Sequence, residues 1–170
     1  MQQAATQYEI QRVSDLGEAA VSSFLARYDL TVEWLPSQAR ITASFWGDPE
    51  AGIAGQRVYV RDDTPVHSML HEVCHIICMN STRREHLDRD AGGDDLEESA
   101  VCYLQIVLAD FLPAVGADRL MADMDCWGYS FRLGSTGRWF YDDADDARCW
   151  LIEKNLLTKT GQPVFRLRDD

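Results

Sequence analysis

Residues 65–79 read PVHSMLHEVCHIICM and contain the run His71-Glu72-Val73-Cys74-His75, an HExxH motif. On an α-helix, positions i and i+4 lie one above the other, so the rings of His71 and His75 are expected to converge on one ion. Glu72 is rotated by about 100° from His71, which places its carboxylate beside the ion, where it can take a proton from a water molecule. The spacing therefore predicts a zinc site with Glu72 as a general base.

The residues around the motif favour a buried helix. The segment is apolar on almost every side, through Leu70, Val73, Cys74, Ile76, Ile77 and Met79. Burying two histidines and a glutamate without partners is costly, and a metal ion would supply the missing partner. We therefore prefer a metal site to the alternative, in which the histidines are satisfied residues of the core.

A zinc hydrolase usually has three protein ligands, so a third is expected downstream. Residues 95–105 open a second helical stretch that runs to about residue 112. Steps of three and four residues from Glu97 reach an unbroken apolar stripe, whereas the same steps from Glu98 reach a more mixed face. Glu97 is therefore the predicted third ligand. Two alternatives stay open, namely Glu98, whose default role is that of an acidic residue at a helix start, and His86 in the charged linker 83–89.

Three segments occur in a recognisable order. Val58-Tyr59-Val60 precedes residues 65–79 with their motif, and a glutamate stands three residues before Ala100, at the start of an apolar helix that ends in Leu112-Pro113. In this respect roughly residues 40–113 resemble the ImmA/IrrE-type metallopeptidases, which are small gluzincin-like zinc proteins. The resemblance implies that two motif histidines and the downstream glutamate bind zinc and that the motif glutamate is the catalytic base. The residues at those positions here are His71, His75, Glu97 and Glu72.

The chain departs from the family pattern near the motif. The family often has a glycine just before the second histidine, where this chain has Cys74, and often has a second acid and an asparagine beside the helix alanine, where Ser99 and Val101 stand. These differences concern the substrate and the subfamily, and they remove no expected ligand.

A chain of 170 residues with 46% hydrophobic and 26% charged residues is expected to form one globular domain. Patterning predicts a helix over residues 14–28, strands over 31–35, 41–46 and 56–61, helices over 118–125 and 145–156, and an extended piece over 163–167. The predicted strands precede most of the helices, and strands and helices do not alternate along the chain. This order predicts an α+β, zincin-like domain over residues 1–170. In it, a small antiparallel sheet would pack on the HExxH helix and on the second, glutamate-bearing helix.

The formal net charge of −12 makes binding to nucleic acid or to anionic membranes unexpected. Residues 1–7 lack the basic and apolar regions of a signal peptide, and no stretch approaches the ~18 apolar residues of a membrane span. The five cysteines include no CxxC pair and are expected to be reduced thiols. These observations predict a cytoplasmic protein, and they assign no oligomeric state.

Residues 127–141 concentrate aromatic side chains between glycines. Such residues either pack on the core or form one wall of a substrate cleft. A side chain that stabilises the oxyanion of a tetrahedral intermediate is sought among Tyr129, Tyr141 and His86. The strand near residues 58–61 is expected to pair with an extended substrate.

Together these features predict a zinc metallopeptidase that hydrolyses a peptide bond in a protein or peptide substrate. The alternative is a zinc-stabilised interaction module without proteolytic activity. Glu72 favours the enzyme, because a purely structural site has no use for a carboxylate beside the metal. Hydrolysis of a non-peptide amide is a third reading that the motif also allows.

Overall fold

The chain forms a helical body with a small β-sheet against it, and the computed structural model describes residues 7–170. The elements in chain order are α1 (Val13–Leu16), α2 (Glu18–Ala26), β1 (Thr31–Trp34), β2 (Gly52–Ala54), β3 (Arg57–Val60), α3 (Val66–Cys78), α4 (Ser81–Glu85), α5 (Asp95–Ala109), α6 (Ala117–Trp127), α7 (Thr136–Asp142) and α8 (Asp145–Glu153). This combination of many helices with a small sheet confirms the predicted mixture of α and β structure.

The sheet of the described residues has the strand order β1-β3-β2. β2 is antiparallel to β3, with Ile53 opposite Val58, whereas β1 is parallel to β3, with Val32 opposite Val58. The prediction of an antiparallel sheet is therefore wrong for the β1–β3 pair. The chain leaves β1, crosses through residues 35–51 and enters β2 in the opposite direction, so the tight turn into β3 restores the direction of β1.

Residues 41–46, which alternation predicted to be a strand, are not part of the sheet. Ala43 has a φ of 56°, which interrupts extended backbone, and Ser44 forms only an isolated bridge to Gly52. The third strand of the sheet is instead β2, which begins at Gly52. A Cβ at Gly52 would lie 1.8 Å from the carbonyl oxygen of Thr42, so the close approach of the two backbones requires glycine.

The helices differ from the prediction mainly in length and number. The predicted helix over residues 14–28 is divided into α1 and α2 at Gly17, whose φ is 83°. The helices predicted over 118–125 and 145–156 are present as α6 and α8, whereas the short helices α4 and α7 were not predicted. Residues 163–167 form no strand, although Pro163 makes an isolated bridge to Leu157.

Helix α3 lies in the centre of the core. All its residues except His71 are buried, and it packs mainly against α5, with β2, β3 and α6 on its other sides. Each fully buried valine, leucine, isoleucine or methionine contributes about 1.5–3 kcal/mol of transfer free energy. Packing alone therefore fixes the position of the helix that carries the HExxH motif.

Two arginines hold the carboxyl end of α3. The Arg84 side chain donates hydrogen bonds to the carbonyls of Ile76 and Met79 at 3.0 and 2.7 Å, and Arg168 donates to the carbonyl of Cys78 at 3.1 Å. The last carbonyls of a helix have no partners within it. Helix α4, which carries Arg84, and the C-terminal segment, which carries Arg168, thus hold the last turn of α3, where His75 lies.

Candidate metal centre

His71, His75 and Glu98 bring three ligand atoms together beside α3. The Nε2 atoms of the two histidines are 3.1 Å apart, and the two carboxylate oxygens of Glu98 lie 3.1 Å from Nε2 of His71 and 3.2 Å from Nε2 of His75. Zinc binds such atoms at about 2.0–2.1 Å with tetrahedral geometry, which separates neighbouring ligand atoms by about 3.3 Å. Each histidine nitrogen is thus separated from the other, and from one carboxylate oxygen of Glu98, by about the distance between zinc ligands.

The third member of this cluster is Glu98, and Glu97, the predicted third ligand, is not part of it. Both carboxylate oxygens of Glu97 accept hydrogen bonds from Nη1 of Arg83 at 2.8 Å, and Nη1 of Arg168 lies 3.7 Å away. The Glu97 side chain is 8% exposed, whereas that of Glu98 is 51% exposed. Glu97 thus forms a buried ion pair, and Glu98 reaches the edge of the core where the histidines lie.

Helix α5 is buried on more than one side, which explains why its apolar stripe pointed to Glu97. This helix packs against α3, α6 and α8, so the apolar stripe that continues from Glu97 identifies only one of its buried sides. The mixed face that continues from Glu98 through Cys102 and Gln105 is the one beside the histidines, since Glu98 and Cys102 line the same cleft as His71 and Gln105 contacts it. A catalytic metal needs an open position for water, so its ligands lie at an edge of the core where polar and apolar residues mix.

His86, the other alternative for the third ligand, lies away from the cluster. It is exposed at the carboxyl end of α4, and its Nδ1 is 2.9 Å from the carbonyl oxygen of Thr82. That contact is local to its own helix. His86 therefore belongs to neither the ligand set nor the group of residues that can reach the reacting atoms.

Gln105, which no sequence motif singled out, fixes the orientation of the His71 ring. Its Oε1 lies 2.7 Å from Nδ1 of His71, and its Nε2 donates to the carbonyl of His67 at 3.2 Å. A reversed amide would place its oxygen against that carbonyl, so Oε1 must face the imidazole. Nδ1 of His71 then carries a proton, so Nε2 is the atom that would bind a metal, in exchange for the proton that it shares with Glu98. The available signal was the spacing, since Gln105 is seven residues, or two turns, beyond Glu98.

Glu72, the predicted base, lines both clefts that border the cluster. It is buried on α3 and lines the cleft together with His71 and Glu98. Burial, opposed by the charge of His71 and assisted by the carboxylates of Glu50 and Glu98, raises the pKa of Glu72 to about 7. A carboxyl group with such a pKa can both accept and deliver a proton near neutral pH.

Glu98 has the opposite electrostatic behaviour. Partial burial would raise the pKa of this carboxyl group, but its hydrogen bonds with His71 and His75 hold the pKa well below its usual range. Glu98 is therefore an anion at neutral pH, as a metal ligand must be. Two neighbouring carboxylates thus have different protonation behaviour, which suits one for binding a cation and the other for moving a proton.

The cluster lies where two clefts meet. The larger has a volume of about 500 Å³ and is lined by the site residues and by the aromatic side chains of Trp127, Tyr129 and Phe131. The smaller, of about 250 Å³, passes His75 and reaches the loop at residues 89–93. Trp46 is 71% exposed and borders both clefts. An extended chain can therefore lie across the cluster from one cleft to the other.

Of the two tyrosines proposed for the oxyanion, the structure brings only Tyr129 to the site. Tyr129 lines the larger cleft, its ring centroid is 5.9 Å from that of His71, and its hydroxyl lies 3.2 Å from Nδ1 of His67. Burial raises the pKa of Tyr129 to about 12, so its hydroxyl keeps its proton. Tyr141 is 67% exposed, packs edge to face on Phe140 and lines neither cleft.

Strand β3 cannot pair with a substrate, contrary to the prediction for residues 58–61. It is the middle strand, with β1 on one side and β2 on the other, so both sides of its backbone are occupied. The outer side of β2 is also covered, because Ile53 donates to the Ala43 carbonyl and accepts from the Arg89 amide. Neither β3 nor the outer side of β2 therefore offers free backbone to an extended peptide.

The remaining sequence predictions concern thiols and membranes. All five cysteines are free; Cys74, Cys78 and Cys102 are buried, whereas Cys126 and Cys149 are exposed. Among residues 7–170, no helix is long and apolar enough to cross a bilayer. The prediction that no signal peptide is present concerns residues that are almost all outside the described part of the chain.

Comparison of the chain with family models, with curated proteins and with solved structures finds no match.

Proposed function

We propose that this protein is a zinc metallopeptidase of the ImmA/IrrE-like type, which hydrolyses a peptide bond in a protein or peptide. The observation that carries the proposal is the convergence of the His71, His75 and Glu98 donor atoms at 3.1–3.2 Å next to a buried carboxyl group, Glu72, in an open cleft. The donor set of two imidazoles and one carboxylate is the one that hydrolytic zinc sites use. The alternative ions Mg²⁺ and Ca²⁺ prefer oxygen ligands throughout.

The residues of the chain divide the reaction between them. His71, His75 and Glu98 would hold zinc, which polarises a carbonyl group and lowers the pKa of a water molecule when it is bound. Glu72 takes the proton of the attacking water and delivers it to the leaving amine, so that no free hydroxide or amide anion forms. The Tyr129 hydroxyl faces the same cleft and is the proposed donor to the carbonyl oxygen as negative charge develops there.

A location in the cytoplasm is part of this proposal. Five free thiols, two of them exposed, suit a reducing compartment, where disulfides are rare.

One observation favours the alternative of an interaction module without activity. Phe45 and Trp46 are 51% and 71% exposed and pack edge to face with their ring centroids 5.0 Å apart. Exposed aromatic pairs are frequent at binding surfaces. The same pair borders the clefts, however, so it equally suits a substrate.

The Glu72→Gln variant separates the two functions. Glutamine keeps the size and hydrogen-bonding capacity of glutamate but cannot take the proton. Zinc-loaded protein and variant are incubated with a peptide library derived from a whole proteome, and new termini are identified by mass spectrometry. A peptidase gives termini that disappear with Glu72→Gln and with chelation, whereas termini that form equally with both proteins would contradict the proposal. A partner that binds both proteins equally, without any new terminus, would favour the interaction module.

A further inference from the structure

The larger cleft contains a carboxylate that belongs to neither the metal cluster nor the proton-transfer step. Glu50 is half-buried and lines this cleft together with His71 and Glu72. Its Oε1 accepts a hydrogen bond from Nε1 of Trp127 at 2.8 Å. Among the described residues, Trp127 is the sole hydrogen-bond partner of this carboxylate, which therefore retains acceptor capacity toward the cleft.

The position of Glu50 is fixed from three sides. Its own amide donates to the carbonyl of Gly47 at 3.0 Å, and the next amide, that of Ala51, donates to the buried hydroxyl of Ser68 at 3.0 Å. Ser68 lies on α3, one turn before Glu72, and Trp127 is the last residue of α6. The carboxylate is thus tied to the helix that carries the motif and to the aromatic wall opposite, which is the support that a preorganised binding group needs.

The surroundings of Glu50 suit a cation with an aliphatic stem. Trp46, Trp127, Tyr129 and Phe131 line the same cleft, and the described residues that line it include no lysine or arginine. Aromatic faces attract cations and also pack against methylene groups. Burial raises the pKa of Glu50, while the Trp127 hydrogen bond and the His71 charge lower it, so this partly desolvated carboxylate gains from an arriving positive charge.

We propose that Glu50 is a specificity-determining residue that binds a cationic group of the substrate in the larger cleft. The proposal rests on the proposed function, since it concerns the substrate of the same site. The net charge of −12 supports it at longer range, because an acidic surface raises the local concentration of basic peptides. The cation is either a lysine or arginine side chain or the free α-amine of a peptide, and the two share one chemistry toward a carboxylate.

Four small probes distinguish these sources without requiring turnover. L-Arginine hydroxamate and L-norleucine hydroxamate, each with a free and with an acetylated α-amine, are titrated into the zinc-loaded protein by calorimetry. The hydroxamate chelates the metal, which brings the side chain and the α-amine into the larger cleft, where either can contact Glu50. A side-chain site gives tighter binding of arginine than of norleucine in both forms, whereas an α-amine site gives tighter binding of the free than of the acetylated form for both side chains.

The expected preference is about tenfold or more, the size of a charged hydrogen bond in a partly desolvated site. It should disappear in Glu50→Gln, whose amide oxygen still accepts from Trp127, and persist in Glu85→Gln, an equal charge change on the exposed face of α4. Absence of any preference in the wild type, or a preference that survives in Glu50→Gln, would overturn the role of Glu50 while leaving the peptidase intact. Failure of all four hydroxamates to bind would instead reject the metal site, and the proposal with it.

Discussion

Gln105 and His71 form the contact that prepares the candidate metal centre, with Oε1 of Gln105 at 2.7 Å from Nδ1 of His71. The same amide donates to the carbonyl of His67, one turn earlier on α3. One side chain on α5 therefore sets both the orientation and the protonation of an imidazole on α3. Contacts of this kind raise the basicity of a histidine ligand and hold its ring toward the metal.

Replacement of Gln105 by leucine should weaken zinc binding by about 10–100-fold, the usual cost of losing such a contact. Leucine has a similar volume but no acceptor for the His71 N–H, so the imidazole loses its fixed tautomer. Competition titration against a chromophoric chelator measures the affinity. Gln105→Glu keeps the acceptor for the His71 N–H but loses the donor to the His67 carbonyl, so it should reduce stability while weakening zinc binding less than Gln105→Leu does. Equal zinc affinity of Gln105→Leu and wild type would show that packing alone orients His71.

Glu98→Ala should abolish stoichiometric zinc binding, whereas Glu97→Ala should retain the metal and lose stability. The Glu97 change leaves Arg83 without its carboxylate and removes a partner of Arg168, and an unpaired, partly buried charge costs about 1–3 kcal/mol. Metal analysis after dialysis and chemical unfolding of the same samples provide the two measurements. The reverse result, with zinc lost in Glu97→Ala and kept in Glu98→Ala, would contradict the position of α5 relative to α3.

The contrast between these glutamates shows how far the sequence could predict the site. Periodicity within α3 placed His71 and His75 together, because one turn of one helix determines their separation. The choice between Glu97 and Glu98 depends on how α5 is rotated against α3, and a helix buried on several sides does not reveal that rotation in its apolar pattern.

The sheet was predicted less well for a similar reason. The strand at residues 57–60 was identified by its alternation, but its parallel pairing with β1 depends on the path of residues 35–51. Long-range pairing is not encoded in the period of a strand. The short β2 was not predicted because glycine is typical of turns and also of places where two backbones approach closely. Gly52 therefore did not indicate a strand.

Zinc should stabilise the folded protein through its binding energy. At a free zinc concentration 100-fold above Kd, linkage adds about 2.7 kcal/mol, which corresponds to an increase in Tm of roughly 5–10 °C for a chain of this size. Differential scanning fluorimetry with and without zinc measures the shift. His75→Ala should eliminate it, and His86→Ala, which changes a histidine outside the cluster, should not. A shift that persists in His75→Ala would place the zinc elsewhere.

Gly93→Ala should destabilise the protein more than Gly134→Ala does. The two glycines have similar φ values of 101° and 91°, so alanine costs a similar backbone strain at both positions. A Cβ at Gly93, however, would lie 2.9 Å from Oε1 of Glu97, whereas nothing lies within 4 Å of a Cβ at Gly134. Gly93→Ala should therefore lose about 1 kcal/mol or more of unfolding free energy beyond the loss in Gly134→Ala. This difference measures the cost of displacing Glu97 from its pair with Arg83. Equal effects would show that the pair accommodates the methyl group.

Tyr129→Phe should lower kcat by about 10²–10³-fold with little change in KM, the effect of losing one donor to a developing oxyanion. Phenylalanine keeps the ring that lines the cleft and removes only the hydroxyl, which lies 3.2 Å from Nδ1 of His67. Loss of that hydrogen bond alone should reduce stability by about 0.5–1.5 kcal/mol, so unfolding is measured beside turnover. Tyr141→Phe is the matched control, since this exposed tyrosine lines neither cleft and should leave both quantities unchanged. A Tyr129→Phe variant with reduced stability but undiminished kcat would assign the hydroxyl to packing against His67 and leave the oxyanion to another donor.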